Sequence, residues 1–217
     1  MNSLKDYITE KFQVSKDYKR QHVYTPNDKK ELIKCIKDKI KKEGYGTEDV
    51  PLDLNDIDTS SITDMGELFS NESGAPLVKL SRTGYFDISD WDVSNVESMV
   101  SMFKKSNFNG DISDWDVSSV KNMKWMFGGS KFDGDLSDWD VSNVEDMACM
   151  FADSSFTGKN GSISDWNTKN VNYMEYMFYN SLFNGNVDNW NIDNIKYMHH
   201  AFEKSPLDKN LPKWYKK

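Results

Sequence analysis

The chain has 217 residues, with 35 acidic and 27 basic side chains giving a formal charge of −8; 37% of it is hydrophobic and 13% aromatic, so large rings must supply much of any core. No apolar run approaches the roughly 18 residues of a membrane-spanning helix. Cys35 and Cys149 lack ligand-type spacing, which argues against a disulfide framework and a zinc site.

Charge is unevenly distributed. Residues 1–50 hold 12 basic and 9 acidic side chains, and the rest hold 15 and 26. An acidic body lacks the basic stripe that a nucleic-acid groove needs, so nucleic acid is not an expected partner. The opening MNSLKDYITEKF has neither the apolar core of a signal peptide nor a lipid-anchor cysteine, and the expected location is the cytoplasm.

In chain order, residues 3–13 space Leu4, Tyr7, Ile8 and Phe12 as a short amphipathic helix would. The stretch 17–24 is ambiguous, and its tyrosines and Val23 suit a strand. The next helix is clearer. Thr25 is placed as its N-cap and Pro26 at its first position, Leu32, Ile33, Ile36 and Ile40 form its apolar stripe, and Gly44 stops it. Lys29, Lys30, Lys34, Lys37 and Lys41 coat the other sides as a solvated face. Residues 1–48 are expected to form a helical N-terminal cap, and 49–217 a repeat body with a C-terminal cap from about 205.

The repeat is the strongest signal. SDWDVSNVESMVSMF at 89–103 returns at 113–127 and 137–151, more loosely at 164–178 and 188–202, and in worn form at 55–69 with Ile57 in place of tryptophan. Trp91, Trp115, Trp139, Trp166, Trp190 and Trp214 mark its phase at intervals of 24, 24, 27, 24 and 24 residues. A fixed period in this range is the signature of a solenoid whose units bury their apolar faces only against neighbours. Around each tryptophan the alternation of Trp91 and Val93 with Asp90 and Asp92 predicts a strand. Ser94 or Asn95 then offers an N-cap, with Glu97 completing a capping box, and Val96, Met99 and Phe103 follow at helical spacing. The expected fold is thus an α/β, right-handed, leucine-rich-repeat-like solenoid, with a short parallel strand and a short helix per coil. Two insertions, within 70–86 and at 158–161, interrupt the period, and Pro212 would remove a donor from a terminal edge strand.

The D-I-S-D-W-D-V-S-N-V-x-x-M-x-x-M-F unit, followed by F-N-G-D, resembles the repeat of the BspA-like bacterial surface-protein family. That family is leucine-rich-repeat-related and occurs in secreted and lipoprotein adhesins and in phage-encoded proteins. The resemblance covers Asp53 to about Trp214. It implies a protein-binding or adhesion module with no catalytic residue in its motif, and a virion-associated location if the chain is phage-encoded.

Two sets of residues stand out for function. Asp90, Asp92, Asp114, Asp116, Asp138 and Asp140 flank the tryptophans and would form an acidic ladder if the strands stack. Mutual repulsion should raise their pKa values or recruit calcium or a basic partner, and the plainer reading is that they cap turns. The position two after the first methionine varies through Glu67, Ser101, Trp125, Cys149, Tyr176 and His200. Trp125, Tyr176, Tyr179 and His200 are therefore candidate partner-binding residues, either exposed or wedged between neighbouring coils. His199 and His200 adjoin and cannot face one metal as an i, i+4 pair would. No HExxH, P-loop or nucleophile–base pattern occurs, and no cofactor beyond calcium is suggested. The expected function is non-enzymatic protein binding; a structural component of an assembly such as a phage particle and a calcium-dependent hydrolase are the alternatives.

Overall fold

A computed structural model describes residues 22–215. The helix expected at 3–13, and most of the ambiguous 17–24 stretch, lie outside the described residues. Within the latter, Tyr24 forms a parallel bridge with Ile57.

The first helix, α1, runs Lys29–Glu43. Its N-cap is Asp28 rather than Thr25: the Asp28 carboxylate accepts the Glu31 N–H at 2.8 Å, and Glu31 in turn accepts the Asn27 N–H at 2.9 Å. The first bond satisfies one of the donors that a helix start leaves open and the second ties down the residue just ahead of the cap, so Pro26 stays outside the helix. At the other end, the Gly44 N–H reaches Ile40 O with φ at 87°. Leu32 and Ile36 are fully buried, as the apolar stripe predicts, and Ile33 and Ile40 partly so. Lys39 is also buried, at 4% exposure, because its ammonium meets Asp56 of the first unit at 2.6 Å.

Two parallel strands, β1 (Leu52–Asp53) and β2 (Phe86–Asp87), pair at the start of the repeat body. Beyond them the units are joined by single parallel bridges that link Asp64, Ser98, Asn122, Asp146, Tyr173 and Tyr197 in succession. The joining segment differs from the expected helix. Met99, Ser101, Phe103 and Lys105 donate N–H bonds to Asn122, Lys124, Met126 and Gly128 of the next unit at 2.8–2.9 Å. Between them, Met102, Lys104 and Ser106 close turns onto the residue three before. Successive turns place residues three apart on one side, so Val96, Met99 and Met102 mimic helical spacing without a helix. Ser101, with φ at 57°, is incompatible with a continuing right-handed helix, and every unit repeats that value within a few degrees.

The tryptophan segment likewise carries the expected alternation without a ladder. Trp91 and Val93 are buried and Asp90 and Asp92 exposed, but the backbone there is turned, with the Trp91 N–H on Ile88 O. The predicted capping box is absent as well. The Ser94 hydroxyl donates to Asp92, and the Asn95 amide donates to Ser60 O of the preceding unit at 2.9 Å. Asn143, Asn170 and Asn194 repeat that staple at 2.6–2.7 Å.

The core is a set of aromatic columns. Phe69, Phe103, Phe127, Phe151, Phe178 and Phe202 stack at 5.5–5.8 Å between centroids. Phe108, Phe132, Phe156 and Phe183 lean against them. The indole N–H of each of the six phase-marking tryptophans donates to a carbonyl one unit back, at 2.8–3.1 Å. The insertion at 70–86 holds a short helix, α2 (Val78–Thr83), which buries Leu80 and is preceded by buried Leu77. At the far end a 3-10 turn, Pro206–Lys209, leads to Trp214 and Tyr215, whose rings meet Phe202 edge-on.

Candidate functional site

The residues that differ from unit to unit gather on the flank built by the methionine segment. Each unit contributes three side chains there: the residue before its first methionine and the first and second after it. Glu67, Ser101, Trp125, Cys149, Tyr176 and His200 all occupy the left-handed region, with φ of 57–60°. Such values are uncommon for residues with a Cβ and persist only where the surroundings over-determine them, here, for the first five, through the N–H bond each makes to the next unit.

Trp125 is half-buried, which places it between the two sequence expectations. A Cβ at Gly128 would sit 2.4 Å from its ring, so only glycine leaves room for the indole, and Lys104 Nζ lies 4.4 Å from the ring centroid. Cys149 is 8% exposed, and burial pushes its thiol up to about 11, which keeps it protonated and inert. Nearby Asp146 accepts the Ala148 N–H, but desolvation holds its carboxyl above the usual range.

From the fifth unit on, the flank becomes aromatic. Tyr176 stacks on His200 at 4.9 Å and 23°, and meets Tyr179 and His199 edge-on at 5.6 and 5.3 Å. The Tyr179 ring lies 4.7 Å beneath Lys204 Nζ, which also donates to its hydroxyl. His200 Nδ1 lies 2.5 Å from Glu203, and its ring stands perpendicular to that of His199. Tyr176, Tyr179 and His200 are thus brought together, whereas no ring contact joins Trp125 to them. Sequence reasoning missed Tyr173 and Tyr197. Their rings stack at 5.5 Å and 6°, and they are 38% and 50% exposed. The signal was present one column away, where Asp64, Ser98, Asn122 and Asp146 give way to tyrosine.

The acidic columns behave differently from the expected ladder. Asp90, Asp92, Asp114, Asp116, Asp138 and Asp140 are all exposed. Asp92, Asp116 and Asp140 each accept the N–H of the serine two residues on at 3.0 Å, so they cap turns. Repulsion does not raise the pKa of Asp116 as expected: hydrogen bonds from Ser118 hold its carboxyl below the usual range. Asp58, at the same place in the worn first unit, is likewise held low by Ser60. Among the described residues no three His, Cys, Asp or Glu side chains converge as a metal site, and no helix is long and apolar enough to cross a membrane.

Comparison with curated proteins and with solved structures gave no match. A family model matches the chain repeatedly, at residues 39–156, 78–180 and 155–217, in keeping with units that each resemble the next. The chain is a repeat protein of the family described as "Mycoplasma protein of unknown function, DUF285".

Proposed function

We propose that this chain is a non-enzymatic protein-binding module, built as a leucine-rich-repeat-like solenoid of the BspA-like kind. The partner seats on the variable flank, with Tyr176, Tyr179 and His200 at its centre and Trp125 towards its edge. The observation that carries this reading is the contrast between columns. Core positions keep the same residue from unit to unit, whereas the two flank positions after the first methionine differ in every unit, and the flank ends in a cluster of partly exposed rings. Tyrosines held by stacking lose little entropy on binding and present large amphipathic surfaces, as interface anchors do. The ladder of parallel bridges between units supports the solenoid reading.

The same unbroken ladder favours a second reading, a rigid spacer within a larger assembly. Capture from native-cell extract separates the two. Immobilised chain should retain a partner that the Tyr176→Ala/Tyr179→Ala double variant loses at least about tenfold, as hot-spot truncations do. Neutralising the six exposed aspartates to asparagine should leave capture intact. The opposite pattern, or a partner indifferent to both variants, would reject the flank.

A further inference from the structure

The two segments that break the repeat, α1 and the insertion at 70–86, together line a groove of about 560 Å³. Its apolar lining comes from Ile40 of α1, Tyr45 just beyond it, and Pro76, Leu77 and Val78 of the insertion. The walls are held in place from behind. Leu77 and Leu80 are buried in the shared core, and Ile40 packs against it. The Leu52 N–H donates to the Tyr85 carbonyl at 3.0 Å, which ties the chain that follows α1 to the end of the insertion.

The groove carries charge of one sign. Lys37 and Lys41 from α1 and Lys79 from α2 line it, all three exposed, and no acidic residue does. Among the described residues no carboxylate pairs with any of these lysines. Asp38 borders a separate hollow beside Cys35, and Glu43 lies 3.9 and 3.7 Å from Lys39 and Lys42 instead. None of Trp125, Tyr176, Tyr179 and His200 reaches this groove.

We infer that the groove docks an acidic amphipathic helix of a partner protein, on a second surface beyond the variable flank. Its walls are largely helical, so they offer side-chain faces rather than an open ladder of backbone donors, and a helix laid in a groove is the fitting mode. The apolar face of the partner helix meets Ile40, Val78 and Tyr45, whose ring is 37% exposed, while its carboxylates meet the three ammoniums. A basic surface alone would suit any polyanion; the apolar lining selects one with a hydrophobic face. This chain is a poorer source of the occupant. Residues 1–21 hold five basic and three acidic side chains, the same sign as the groove. In a second copy, α1 and α2 already pack on the repeat core, and Asp92, Asp116 and Asp140 cap turns.

The probe is the synthetic peptide EELAELLEELAELE, whose leucines share one helical face. Titrated into the full chain at low salt, it should bind with a Kd of about 100 μM or tighter. Lys37→Gln/Lys41→Gln/Lys79→Gln should raise that Kd about tenfold, the effect of three exposed ion pairs. Tyr45→Ala should raise it at least about threefold with the charge intact. All four side chains are exposed, so the variants should keep the parent melting temperature. Tyr176→Ala/Tyr179→Ala should leave peptide binding unchanged, which separates failure of the groove from failure of the flank. No binding at about 1 mM peptide overturns the proposal. So does equal binding of a peptide with the same residues reordered to scatter the leucines, which would mean a nonspecific polyanion contact. Binding to equimolar phosphatidylserine and phosphatidylcholine vesicles but not to the peptide would assign the groove to a membrane surface. Dimers in sedimentation that the triple lysine variant separates would assign it to a second copy.

Discussion

The indole N–H of Trp139 donates to the carbonyl of Ile112, one unit back, at 3.1 Å. The bond explains why tryptophan recurs at this position. The ring fills the core, and its polar edge gives the Ile112 carbonyl a second donor beside the Trp115 N–H at 3.3 Å. Truncation to alanine removes both and should cost about 3–5 kcal/mol. Trp139→Phe keeps much of the ring and leaves the carbonyl with the Trp115 N–H alone, at about 0.5–1.5 kcal/mol for the lost hydrogen bond. Urea denaturation of the two variants checks the order, and equal losses would mean that the hydrogen bond contributes nothing.

Lys105 and Gly129 occupy the same place in successive units, with φ of 57° and 69°. Left-handed backbone costs a residue with a Cβ about 1–2 kcal/mol, and glycine returns roughly 0.5–1 through its freer unfolded state. Lys105→Gly should therefore stabilise by about 0.5–1 kcal/mol, since its ion pair with Glu72 is exposed and worth little. Gly129→Ala should destabilise, because the new Cβ meets the Lys105 side chain at 3.0 Å. Thermal melts of the pair decide the matter.

Two aspartates should respond to acid with opposite sign. Hydrogen bonds from Ser118 hold the Asp116 carboxyl below the usual aspartate value of 3.8, so the stability it adds is present above about pH 4 and lost as pH falls through the lower folded value. Asp146 is raised, by desolvation first, so its charge opposes folding at neutral pH and the penalty fades as pH falls. Asp146→Asn should raise the melting temperature at pH 7 and converge on the parent in acid. Asp116→Asn should lower it slightly at pH 7 and likewise converge below the folded value. Melting profiles from pH 2 to 7, on the order of the carboxylate range, test both signs.

Lys39 ties α1 to the repeat body through Asp56. Removing one partner of a largely buried pair leaves the other uncompensated. Lys39→Met should loosen α1 before the units, which would appear as faster amide exchange across Lys29–Glu43 with the bridges at Asn122 and Asp146 unchanged. Uniform acceleration along the chain would mean that helix and repeats unfold together.

The period and the core were legible because they depend on large rings at fixed spacing. Trp91, Trp115, Trp139, Trp166 and Trp190 are 3–4% exposed, and the phenylalanine columns follow the same phase. The local backbone was not legible. A three-residue spacing of Val96, Met99 and Met102 belongs equally to a helix and to a run of turns. The left-handed φ that separates the two falls on residues as unlike as Ser101, Trp125 and Cys149. Asn95 was ambiguous for a similar reason: an amide beside a turn serves as an N-cap or as a staple, and only the neighbouring Ser60 carbonyl decides. Among the candidate site residues, Tyr176, Tyr179 and His200 form one cluster. Tyr173 and Tyr197 required reading a second column, and the capping role of Asp116 required seeing Ser118 turn back onto it.

The most direct measurement is a hydroxyl-radical footprint of the chain alone and with its captured partner. Protein binding through the variable flank predicts reduced labelling of Tyr173, Tyr176, Tyr179 and Tyr197, with no change around Asp92, Asp116 and Asp140. Protection confined to the aspartate side, with those four tyrosines labelled as in the free chain, would contradict it.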